Sequence, residues 1–212
     1  MSLLAFNNKL VCGNGGLVEF VGTPVMYTYF KLDITALRSG SIMQLSELEF
    51  YDANDTKLNV VYLTGTPGNE STHGDENPPN MFDGRTDTKW CVRKVSSFVV
   101  GKATGVVTAT KYRIATANDT AENPGRNPKS WTISTATSST DITDRDSALW
   151  NVIDTRTNDT TLTAVNQTFF DFAIPAQAQQ TLMMSAGYQE SVNSDDAVLN
   201  EQEETSLGSE GI

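Results

Sequence analysis

The chain has 212 residues, 38% of them hydrophobic and 19% charged, and its fifteen Lys and Arg face twenty-six Asp and Glu for a net charge of −11. That balance excludes a sequence-independent nucleic-acid binder, which needs Lys and Arg to displace counterions from phosphate, and a basic helix lying on a membrane surface. No apolar run approaches the roughly 18 residues that a membrane-crossing helix needs, so membrane insertion is not expected either. The length suits one domain, or one domain with arms.

The first 25 residues read as a separate arm. A turn cluster at Cys12-Gly13-Asn14-Gly15-Gly16 precedes a short candidate strand, Leu17 to Val21. Met1 to Leu10 lacks the basic, apolar, then small-residue layout of a secretory signal. The chain is therefore expected to stay where it is made, or to leave by another route. Two cysteines, Cys12 and Cys91, are too few for a disulfide framework. They could form one bridge, although two free thiols are the default.

From Met26 onward the chain reads as strand after strand. Tyr27–Ile34 alternates in its second half, the period-2 pattern of a half-buried strand. Met43–Tyr51 does the same, with Leu45, Leu48 and Phe50 apolar and Glu47 and Glu49 between them. Residues 58–63 make a third strand, and 64–80 a polar loop holding the single histidine, His73. Further strands are predicted at Lys89–Val92, Ser97–Val100, Gly105–Thr108, Lys111–Ala117, Ser130–Thr135, Trp150–Asp154 and Thr168–Phe172. Many short strands between turn signals predict an all-β sandwich or barrel over residues 26–175. After Pro175, residues 176–187 could form a short helix. Residues 176–212 hold Glu190, Asp195, Asp196, Glu201, Glu203, Glu204 and Glu210 but no Lys or Arg, so this acidic tail carries most of the net charge. Its composition is that of a flexible or partner-bound segment.

No catalytic constellation stands out. A nucleophile–histidine pair would have to use His73, which has no nucleophile signature beside it. One His and two distant Cys are a poor zinc set. The carboxylate pairs are Glu47/Glu49, Asp144/Asp146 and Asp195/Asp196. Glu47 and Glu49 project to one face of a strand, but by residue type exposure is the default for both. The most informative stretch is 80–90, NMFDGRTDTKW. Asp83-Gly84 makes a tight turn, and Asp83, Asp87, Thr86 and Thr88 surround it with oxygen, the donor type that calcium takes. An Asx-turn feeding a strand whose Trp90 plugs the core explains the same residues equally well.

The spacing Asp83-Gly84…Thr88…Trp90 resembles that of discoidin, or coagulation-factor type C, domains and of related galactose-binding-like carbohydrate modules. Four other segments are similar to strands of that family: Leu45–Tyr51, Tyr112–Asp119, Arg126–Ile133 and Trp150–Arg156. Together they span roughly residues 27–175. The resemblance implies a jelly-roll β-sandwich with a structural Ca2+. Its ligands would be the Asp83 side chain, the hydroxyl and carbonyl of Thr88, backbone oxygens near Asn80 and Arg85, and Glu47. Two departures stand out. The glutamate strand precedes the turn, whereas most members place it at the end of the domain, and Arg85 stands where many have Asp. The resemblance also implies sugar recognition through loops at one end of the sandwich, with Tyr62, His73, Asn77, Asn123 and Arg126 as candidate contacts. Trp90, Trp131 and Trp150 are expected in the core, and Arg126 is also a natural loop-fixing residue.

Three functions fit. One is a non-enzymatic module that binds cell-surface glycan. Another is a structural protein of an assembly, for which a virion is the natural setting, because virion proteins are made in the cytoplasm and released without a signal peptide. The two combine in a capsid-decorating or tail protein that carries a discoidin-like domain for host attachment. It would sit at the virion surface, oligomeric, and contact neighbouring proteins through both termini. A stand-alone extracellular carbohydrate-binding module, or an accessory domain of a glycan-processing system, is the alternative.

Overall fold

The computed structural model describes residues 28–68, 75–137 and 140–175, together with the backbone of three short strands before them. Those three are β1 (Ala5–Phe6), β2 (Lys9–Val11) and β3 (Leu17–Glu19), which form a small antiparallel sheet. The body follows as β4 (Tyr29–Leu37), β5 (Met43–Leu45), β6 (Glu47–Tyr51), β7 (Val60–Gly65), β8 (Trp90–Val92), β9 (Ser97–Ala103), β10 (Lys111–Ala115), β11 (Pro128–Ala136), β12 (Asn151–Arg156) and β13 (Phe169–Ala173). Among the described residues the only helical elements are two 3-10 turns, Pro78–Phe82 and Pro124–Arg126. The body is all-β and antiparallel, as expected. One sheet runs β12-β11-β4-β9-β7, a second β13-β10-β6, and β5 pairs with β8.

The two larger sheets share one apolar core. Phe30 of β4 stacks on Phe50 of β6 with centroids 4.1 Å apart, and Trp131 of β11 meets Phe172 of β13 edge-on at 5.3 Å. Leu32, Ile34, Leu48, Ile114 and Ile133 fill the space between. A buried polar chain crosses this core. Trp131 Nε1 donates to Tyr112 Oη (2.9 Å), Tyr112 Oη donates to Asp154 Oδ2 (2.6 Å), and Arg156 Nε donates to the same oxygen (2.7 Å). Burial and the bond to Asp154 push the Tyr112 phenol far above its usual range.

The first four residues of β4 are buried on both faces, because residues 140–150 lie as a strap over the outer side of its sheet. Ile142 packs there with Tyr29, Val100 and Ala136, beside Phe98 and Trp150. Arg145 clasps the Asp33 carboxylate, with Nε 2.9 Å from Oδ2, and Lys31 Nζ donates to the Arg145 carbonyl and lies over the Trp150 ring. Trp90 and Trp131 are in the core as expected, whereas Trp150 belongs to this half-buried outer cluster.

Three expectations are corrected. Met43–Tyr51 is not one strand: the ladder changes sheets at Ser46, whose N–H donates to the Ala115 carbonyl. Gly105–Thr108 is not a strand. Gly105 has φ +110°, and the Thr28 hydroxyl both accepts the Val107 N–H and donates to the Val107 carbonyl, taking the place of a ladder partner. Glu47 and Glu49 are not exposed, at 1% and 8%. Cys91 is a buried free thiol, while Cys12 and the 176–187 helix lie outside the described residues.

Candidate metal centre

Residues 83–88 fold back over the start of β6. Asp83 ends the first 3-10 turn, and Gly84 takes φ +76°, which an L side chain rarely adopts. Asp83 Oδ1 accepts the Arg85 N–H (2.8 Å) and Oδ2 accepts the Thr88 hydroxyl (2.8 Å), which also lies 3.3 Å from the Arg85 carbonyl oxygen. The loop is stapled at several points. Ser46 Oγ donates to the Thr86 carbonyl, Asn118 Nδ2 to the Asp87 carbonyl, and Asn80 Nδ2 to the carbonyls of Asp75 and Lys89. The Asn80 amide is thus a brace for the loop. The Arg85 side chain turns outward onto Asp87, both 61% exposed, so it takes no part in shaping the turn.

Glu47 lies beneath this loop. The Gly84 N–H donates to its Oε2 at 3.1 Å, and among the described residues no Lys or Arg forms an ion pair with it. Burial raises its pKa to about 8, and the nearby Asp83 carboxylate adds to the rise. Glu49, two residues on, is in the opposite situation, since Lys57, Tyr51 and Arg113 all reach it. The Asp83 carboxylate disfavours charge on Glu47, and the two side chains, beside a hydroxyl and a carbonyl, offer the oxygen donors that a hard cation prefers. They do not fit zinc, which takes His and Cys; for any cation the site offers only these two carboxylates, since among the described residues no three His, Cys, Asp or Glu cluster as a metal-holding group. The loop therefore brings Glu47, Asp83, Arg85 and Thr88 together, with Asn80 bracing it from behind.

The sugar-contact candidates are more dispersed. Asn123 Nδ2 donates to the backbone and side-chain oxygens of Asp119, and Arg126 reaches Asp119 Oδ2 (3.4 Å) and Gln44 Oε1 (3.1 Å). Lys89 joins them, 2.9 Å from Asp119 and 3.3 Å from Glu76. Burial works to lower the Lys89 pKa, but these ion pairs win and hold it above its usual value. Beside them burial lifts the Cys91 thiol to about 11, with help from Glu76. Arg126 is thus the loop-fixing residue it resembles. Tyr62 is half-buried on β7 against the core, Asn77 sits at the N-terminal edge of the first 3-10 turn with its carbonyl accepting the Asn80 N–H, and His73 lies outside the described residues. Sequence inspection missed Ser46, Glu76 and Asp119 as loop anchors. The only available signal was Ser46 interrupting an otherwise alternating strand.

No family model matches the chain, and no curated protein or solved structure matches it.

Proposed function

We propose that the chain is a non-enzymatic, discoidin-like binding module of jelly-roll type, stiffened by calcium, that presents glycan-binding loops at the surface of a virion. The observation that carries the metal part is Glu47, buried with no ion pair among the described residues, its Oε2 on the Gly84 N–H and its charge disfavoured by the Asp83 carboxylate, which in turn accepts the Thr88 hydroxyl. A bound cation would give both carboxylates the charge that the protein does not supply. The glycan part rests on the five-segment resemblance, and the virion setting on the apolar arm and acidic tail that flank the body in sequence. A non-enzymatic role fits where the strongly shifted groups lie: among the described residues, Glu47, Cys91 and Tyr112 are all buried.

Calorimetric unfolding with calcium and with excess chelator tests the metal. A ligand that binds only the folded state raises stability by RT ln(1 + [L]/Kd), so calcium should raise Tm, and Asp83→Ala should abolish the rise. Absence of a shift refutes the metal. A glycan array probed with the calcium-loaded chain then tests the ligand class, and a blank array removes the glycan assignment.

A further inference from the structure

We propose that the N-terminal sheet β1–β3 docks in cis on the outward face of β7, covering Val61 and Leu63. Among the described residues β7 is an edge strand, paired on one side with β9. Val60 and Tyr62 pack into the core, while Val61 and Leu63 stand 49% and 37% exposed. None of its six residues, VVYLTG, is charged. Edge strands are normally protected by charges or by a covering segment. The opposite edge, β12, carries Asp154 and Arg156; β7 has a bulge between Tyr62 and Thr64 but no charge, so its outward apolar side chains are the less guarded.

The occupant follows from the sequence. Residues 1–27 hold one Lys, Lys9, and one acid, Glu19, amid many Leu, Val and Phe. Strands of two and three residues cannot bury such surface among themselves, and so small a sheet needs something to pack on. Reach favours this chain's own β7. Residues 20–28 separate β3 from β4 and can span about 30 Å when extended. β4 and β7 flank β9 in the same sheet, so β7 lies only two strand spacings, about 10 Å, from β4. A tether of that length gives an effective concentration in the millimolar range, which favours the intramolecular contact over one with a second copy.

Hydrogen exchange of the full-length chain, read by mass spectrometry, tests this. In the double variant Val61→Lys/Leu63→Lys, exchange at 17–19 should accelerate by roughly tenfold or more, as expected when a docked unit is released. In Val18→Asp, exchange at 60–65 should accelerate likewise. Exchange in β4 and β11 should not change in either variant, which shows that the body remains folded. The proposal is overturned if either segment ignores substitutions in the other. It is also overturned if the protection weakens on dilution, because the arm would then sit on a second copy.

Discussion

Replacing Glu47 with Gln separates the cost of burying this carboxyl from its use. In chelator, folded Glu47 keeps its proton up to about pH 8, whereas the ordinary value is 4.5. Between those values the folded state holds a proton that the unfolded state has released. The contribution of this group is therefore fully present below pH 4.5 and is lost as pH rises through 8, at about 1.4 kcal/mol per pH unit. By pH 7 the accumulated loss is roughly 3 kcal/mol. Glu47→Gln keeps an oxygen for the Gly84 N–H but does not titrate. In chelator the variant should match the parent near pH 4.5 and exceed it by roughly 3 kcal/mol at pH 7. At about 2–4 °C per kcal/mol for a chain of this size, that is a Tm gap of about 6–12 °C. Reading the difference between the two proteins cancels the other carboxylates. With calcium at a thousandfold excess over Kd the order should reverse, since the parent gains about 4.1 kcal/mol, more than the gap, and the variant gains nothing. A gap that stays flat from pH 5 to 8 would refute the burial argument. An undiminished calcium response in the variant would remove Glu47 from the ligand set.

Three further outcomes are expected. Tyr112→Phe leaves Trp131 Nε1 without its acceptor and Asp154 without one donor, and should cost about 1–3 kcal/mol in urea unfolding with no change in calcium response. Gly101→Ala would place its Cβ 2.8 Å from the Phe82 ring and 2.5 Å from Val60, so a loss of about 1–3 kcal/mol should appear in the same assay. In a Cys12→Ser background, Cys91 should resist a thiol reagent at pH 8, because burial holds its pKa near 11, and should react only as fast as the protein opens; rapid labelling would place the thiol at the surface.

Alternation was a sound guide where one face of a strand is dry. Leu48 and Phe50 were legible as core from their spacing alone, and both are. It failed where burial comes from a distant segment. Alternation in LSELEFY does not show that residues 83–88 will lie over Glu47 while Glu49 meets Lys57 and Arg113, so by that pattern the two glutamates look alike although they differ in the fold; only the family resemblance set Glu47 apart. The strap shows the same limit. Thr140–Trp150 is polar enough to read as a solvent loop, yet Ile142 and Arg145 seal the outer side of the central strand. Gly105–Thr108 failed for a local reason, since one threonine hydroxyl can occupy both backbone groups of a residue that would otherwise join a ladder.

The Glu47–Gly84 contact joins residues 37 apart in the chain. A cation held there would tie the two segments together in the folded chain, whereas a disulfide of that span also restricts the unfolded one. Unlike a disulfide, this link has no redox chemistry and opens whenever calcium is withdrawn. The same polypeptide would then be slack in calcium-poor surroundings and taut in calcium-rich ones, its rigidity set by the medium around it.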